Sequence, residues 1–251
     1  MHVWRLDLSP TRLDLGAAGA TLSPEERARA DRFRFDRDRE RFVAARGTLR
    51  RVLGRYAGAA ADELRFVYSA DGKPSLAGRW SWLRFNLAHS GDLALIAVAR
   101  GREVGVDVER VPTDGLVADV VKVVCSGPER ARLHRLRPSG QRRGFARLWT
   151  RKEALIKADG RGLGMSLIHI DVSGRGSRPR MLDESTGRWV ASPRWRLRAV
   201  RVGGSYAGAV AAEGDGWHIL LHTVAGSVAE NFPAPTAPGI FNVHYRQRAL
   251  P

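Results

Sequence analysis

One pattern occurs twice in the chain, in the same order, and it constrains the fold more than any other feature. A helical stretch opening on phenylalanine, "FVAARGTLRRVL" (42–53), precedes a small-apolar strand, a turn and a second strand, "DLALIAVARGREVGVDVE" (92–109). The same succession returns as "FARLWTRKEALI" (145–156) and "SYAGAVAAEGDGWHILLH" (205–222). A repeat of about a hundred residues predicts two similar α+β halves. The 251 residues leave room for both. The boundaries expected are 1–103 for the first half, 104–225 for the second, and 226–251 for a Pro/Ala/Gly-rich, loosely ordered tail.

Local signals fill in the elements. "VWRLDL" alternates as a strand. Ser23, Pro24, Glu25 and Glu26 make a helix start, so a helix is expected near 24–33. A longer helix near 36–56 carries the stripe Phe42, Ala45, Leu49, Val52, Leu53 and Tyr56, and Gly58 ends it. "LRFVYSADGKPSL" reads as a hairpin turning at Asp71-Gly72. Residues 85–111 read as two strands with a turn near Arg100-Gly101. One or two helices are expected over 116–137, broken at "SGPE", and a strong helix over 141–159. Short strands follow at "IDVSG", "RWRLRAV", "YAGAVAAE" and "GWHILLHTV".

Composition narrows the function classes. No apolar run approaches the length of a membrane span, and no basic-then-apolar leader opens the chain. A single cysteine, Cys125, rules out an internal disulfide or a cysteine metal cage. The expectation is a cytoplasmic protein that does not bind membranes. The net charge of +16 asks for a polyanionic partner. There are 38 arginines and four lysines, so a single arginine says little and each lysine says more.

The chemistry concentrates in two places. In "GVDVE" the valines Val104, Val106 and Val108 take one face of a strand, and Gly105, Asp107 and Glu109 the other. Alone, this fits either a solvated edge with Arg102 and Arg110 as partners or a pair of oxygen ligands for a hard divalent cation. In "LWTRKEALIKADG", Trp149, Glu153 and Lys157 fall in one helical stripe, with Lys152 further round. An exposed Glu–Lys pair accounts for Glu153 and Lys157 but not for the tryptophan. His89 lies in "FNLAHSGD" beside Ser90 and Gly91, whose backbone could face an anion. Lys73 follows the "DG" turn. Arg46 stands among small residues that could let a phosphate approach.

In chain order, "DGKP", "FNLAHSG", "GVDVE" and "WTRKEALIKADGRGL" resemble the 4′-phosphopantetheinyl transferases, in particular the larger, two-halved Sfp-type monomers. "SGPERARL" is similar to the family's short helix between the two main motifs. The resemblance covers roughly residues 25–215. It implies two similar α/β halves in a pseudo-two-fold arrangement, with coenzyme A in the cleft between them. It implies transfer of the phosphopantetheine arm to a serine of an acidic acyl, peptidyl or aryl carrier protein, releasing adenosine 3′,5′-bisphosphate. Such carriers serve fatty-acid, polyketide and nonribosomal-peptide assembly.

By the same resemblance Asp107, Glu109 and Glu153 hold Mg²⁺ (or Mn²⁺), and Glu153 is the base. Lys157 and His89 contact the pyrophosphate. Lys73 and Arg46, with Arg39 a weaker candidate, meet the nucleotide end. Lys152 orients Glu153 or contacts phosphate. Ala88 stands where the family often has serine, which removes one hydroxyl donor. Size suggests a monomer. Two other readings compete: a basic nucleic-acid-binding protein, for which no recognition motif is found, and an inactive relative that binds coenzyme A.

Overall fold

The computed structural model describes residues 1–12, 14–113, 118–160, 166–174 and 176–224; the tail expected from 226 lies outside them. Two helix-on-sheet units are packed sheet to sheet, giving four layers. In the first unit the strands β1 (His2–Asp7), β4 (Leu83–Ser90) and β5 (Leu93–Arg100) pair antiparallel in the order β1-β5-β4. The helix α3 (Asp36–Ala57) lies across them. Ala45, Leu49, Val52 and Leu53 of its predicted stripe bury against Trp4, Leu6, Phe85, Ile96 and Val98. Gly58 ends the helix at φ +62°.

The second unit orders β10 (Trp195–Ala199), β11 (Tyr206–Glu213) and β6 (Val104–Arg110) antiparallel under α6 (Pro138–Asp159). Between the sheets, Val3, Leu95, Ala97, Val104, Val106, Val108, Val210 and Ala212 form a shared core. This is why β5 is apolar along nearly its whole length: one face packs under α3, the other on the second sheet.

The repeat has a structural counterpart. After β5 the chain leaves the first sheet, and β6 joins the second. Strand β12 (Leu220–Val224) leaves β11 and pairs parallel with β1 in the first. Each unit therefore donates its last strand to the other. The two helices, of 22 residues each, are the other half of the echo.

Three local results differ from the sequence expectation. Residues 83–110 make three strands, not two, because Gly91 at φ +55° turns the chain between β4 and β5. His89 consequently sits near the end of β4, just before that turn. A short helix, α1 (Leu15–Ala20), packs on α3 with no strong sequence signal. A small sheet of β7 (Ile170–Asp171), β8 (Arg180–Asp183) and β9 (Arg188–Ala191) includes two strands that polar, arginine-rich sequence had hidden.

Several other local expectations hold. Helix α2 (Pro24–Ala30) starts with a Ser23–Glu26 capping box. Strands β2 (Phe66–Tyr68) and β3 (Pro74–Leu76) form the hairpin. Helices α4 (Ala118–Val124) and α5 (Gly127–His134) break at Ser126, which caps α5 with Glu129.

Candidate active site

The edges of the two sheets meet at β4 and β6. The Asn86 side chain accepts from the Val106 N–H (3.0 Å), which satisfies one edge donor of β6 and ties the strands. On the other side β6 presents Gly105, Asp107 and Glu109, not to solvent but to α6. Gly105 permits this approach. A Cβ there would lie 2.1 Å from the Ala154 carbonyl oxygen and 2.3 Å from the Ala158 nitrogen. A Gly105→Ala variant is therefore expected to lose about 1–3 kcal/mol of stability, read from its denaturation midpoint, and to push α6 off β6.

That packing gathers the charged stripe. Lys157 Nζ donates to Asp107 Oδ1 (2.6 Å) and lies 4.0 Å from Glu153. Trp149 Nε1 donates to Glu109 Oε1 (3.4 Å), which gives the indole a place in the site. Ser90 Oγ donates to Glu109 Oε2 (2.8 Å). Asp107 is only 2% exposed, and its Oδ2 is buried without a hydrogen-bond partner.

Burial raises the Asp107 pKa to about 7; Lys157 opposes the rise, and the charges of Glu109 and Glu153 add to it. Glu153 is raised in the same way, by burial first, with Lys157 opposing and Glu109 adding. His89 is held below its ordinary range by the protein packed around it, then by the charges of Lys157 and Arg41.

A crowded carboxylate set that raises its own proton affinity needs positive charge. Among the described residues, no three His, Cys, Asp or Glu side chains already converge as a finished metal cage. Lys157 holds one oxygen of Asp107 instead. Yet the unpartnered Oδ2 of Asp107 is an oxygen donor of the kind a hard divalent cation takes.

Other anticipated residues fall in different places. Lys73 Nζ donates to Glu103 (2.7 Å) and to the Ala158 carbonyl (2.7 Å). It borders a cleft of about 240 Å³ with Arg84, Phe85, Asp159 and Gly160 at the far end of α6. Arg39 is exposed and pairs with Asp36 (3.0 Å).

Two expectations are corrected. Arg46 is buried, not aimed at a phosphate: it pairs with Glu26, donates to the Tyr68 hydroxyl (2.8 Å) and stacks over Phe66. The small-residue gap beside it is filled by α1; a Cβ on Gly47 would lie 2.4 Å from the Ala18 carbonyl oxygen. Lys152 is 0% exposed and points away from the site. Its ammonium is held by Glu129 (2.7 Å) and the carbonyls of Val124 (2.8 Å), Leu167 (2.7 Å) and Ile170 (2.7 Å), so it touches neither phosphate nor Glu153.

One residue the sequence did not single out comes to the site. Arg41 on α3 reaches Asp92 and Asp38, acts on His89 through its charge, and keeps its Nε buried without a partner. Among 38 arginines nothing in the sequence marks it.

Comparison with known proteins bears on what this arrangement is. Two family descriptions match the chain in tandem: "4′-phosphopantetheinyl transferase, N-terminal" over residues 6–101 and "4′-phosphopantetheinyl transferase superfamily" over residues 103–211. The 4′-phosphopantetheinyl transferase HetI of Nostoc sp. (strain PCC 7120) is 38% identical over 221 residues, covering 86% of this chain and 89% of that protein. The mouse L-aminoadipate-semialdehyde dehydrogenase-phosphopantetheinyl transferase is 29% identical over 176 residues, 65% of this chain and 57% of that one. The crystal structure of the Thermotoga maritima holo-[acyl-carrier-protein] synthase aligns over 44% of this chain and 62% of its own, at 20% identity and a TM-score of 0.32, too slight a likeness to argue from. With the tandem match and a relative aligned over most of both chains, the chain belongs to the 4′-phosphopantetheinyl transferase superfamily.

Proposed function

We propose that this transferase moves the phosphopantetheine arm of coenzyme A to a serine hydroxyl of a carrier protein, at the face where β6 meets α6. The observation that carries the assignment of the site is the second carboxylate oxygen of Asp107, buried and unpartnered beside Lys157 and Glu153. The serine oxygen attacks the phosphorus that bears the pantetheine arm. The bond from that phosphorus to the bridging oxygen breaks, and adenosine 3′,5′-bisphosphate leaves.

Phosphoryl transfer of this kind is mostly positioning and charge neutralisation. Lys157 has its ammonium at the carboxylates and can turn one N–H to the pyrophosphate. His89 and Arg41 bring donors from the first unit. Lys73 and Arg84 line a cleft with Glu103 and Asp159, and would turn from Glu103, which now pairs with both, to the anionic nucleotide end. Glu153, whose proton affinity burial has raised, accepts the serine proton on its carboxylate. A divalent cation held by Asp107, Glu109 and Glu153, Mg²⁺ by the hardness of those oxygens, would neutralise charge on the pyrophosphate.

A monomer in the cytoplasm is part of this proposal, in keeping with one buried cysteine and with no helix among the described residues long and apolar enough to cross a membrane. The nucleic-acid reading is not favoured. For the site, Glu153→Gln is the direct test. Incubated with coenzyme A, Mg²⁺ and an apo-carrier, it is expected to transfer about a hundredfold more slowly than the wild type. Equal rates by intact mass would remove Glu153 as the base.

A further inference from the structure

We infer that an open, arginine-lined cleft at the start of α6 seats carboxylates on the surface of the acceptor protein. The inference rests on the transferase reading above and assigns where that reaction's protein substrate is held. The cleft has a volume of about 370 Å³ and is lined by Arg110, Arg142, Arg143, Ser139, Gly204 and Ser205. Arg143 Nη2 donates to the Gly204 carbonyl (2.6 Å), which fixes one wall. Among the described residues, no carboxylate pairs with any of the three guanidiniums. Three such groups around one opening raise the local potential for an anion.

The position says whose anion it is. Strand β6 and α6 run alongside each other in opposite directions: Asp107 meets Lys157, and Glu109 meets Trp149. The cleft holding Lys73 and Arg84 lies at the Glu103 end, beside Asp159 and Gly160. The arginine cleft lies at the Arg110 end, with the carboxylates between. From Trp149 to Arg142 is seven helical residues, about 10 Å at the usual rise. The donor's phosphates belong to the first cleft and the carboxylate centre. Its pantetheine arm carries amides and a thiol and no charge, so it offers three guanidiniums nothing to pair with. An anion at this end is therefore supplied by the acceptor, as acidic side chains near the serine that receives the arm. Arginine suits the task, since its planar fork takes a carboxylate in two parallel hydrogen bonds.

The test uses the full chain with Arg142→Glu and Arg142→Lys, and an acidic apo-acyl carrier protein as the probe. Carrier binding is read by fluorescence anisotropy at two ionic strengths, and KM is measured separately for carrier and for coenzyme A. Arg142→Glu is expected to weaken carrier binding and raise its KM about tenfold, to flatten the salt dependence, and to act on the carrier's KM rather than the donor's. Arg142→Lys is expected to keep most of the affinity. The inference is overturned by wild-type carrier affinity and salt slope in Arg142→Glu, by a rise confined to the KM for coenzyme A, or by duplex DNA displacing the carrier at equal concentration. If the wild type makes no holo-carrier yet binds the carrier, and Arg142→Glu does not, the transfer reading fails and the cleft stands. If transfer proceeds and both variants bind as the wild type does, the cleft alone fails.

Discussion

Asp107→Asn is expected to lower phosphopantetheine transfer on the order of 10³-fold while the protein still folds. The side chain keeps its shape and its contact with Lys157 through Oδ1, so the β6–α6 packing survives. What disappears is the negative charge on the buried oxygen that has no other partner. The same change alters the pH dependence of stability. In the fold the Asp107 pKa is raised from 3.8 to about 7, so between those values the native chain holds a proton that the unfolded chain has released. Stability from this group is present at low pH and is lost as pH rises through about 7. Without divalent cation, the wild-type denaturation midpoint should fall across that window, and the Asp107→Asn midpoint should fall less. Identical pH profiles would mean that Asp107 is not the buried acid described.

The second large effect is on folding. Lys152→Ala is expected to destabilise the protein by about 3–5 kcal/mol, because it strands a buried carboxylate. Glu129 is fully buried and also accepts from the Ser126 and Val172 N–H groups (2.8 Å each), so it cannot turn to water. The carbonyls of Val124, Leu167 and Ile170 lose their donor as well. Burial pulls the Lys152 ammonium down and Glu129 holds it up, which marks the pair as one unit. Domains of this kind are stable by roughly 5–15 kcal/mol, so the loss is a large part of the total. A urea midpoint shift worth less than about 1 kcal/mol would show that the strut is dispensable.

The contrast between these two residues shows what the sequence could carry. Strand alternation and the helical stripe placed Asp107, Glu109, Trp149, Glu153 and Lys157 on facing surfaces, and the structure brings those surfaces together. Periodicity suffices there because each residue's direction is set by its own element. Lys152 and Arg46 were misread because their partners come from elsewhere: Glu129 and three carbonyls for one, Glu26 and Tyr68 for the other. A buried lysine and a phosphate-binding lysine look alike in sequence. Arg41 and the arginine cleft were hidden by the same abundance of arginine that made each one uninformative.

The repeat gave the two long helices and the strands that follow them, but β5 does not pair with β6, nor β11 with β12. In each case the second strand crosses to the other sheet. The third strand of residues 83–110 was missed because β5, buried on both faces, has no alternation to separate it from its neighbours. The strands β8 and β9 carry too little apolar surface to show a period.

The most direct measurement is the intact mass of an apo-carrier protein after incubation with coenzyme A and the wild-type chain, with Mg²⁺ and with a chelator, beside Asp107→Asn under both conditions. The account predicts the phosphopantetheine adduct with the wild type in Mg²⁺, and little or none in the other three arms. An adduct formed at the same rate by Asp107→Asn, or by the wild type with all divalent cation removed, would contradict it.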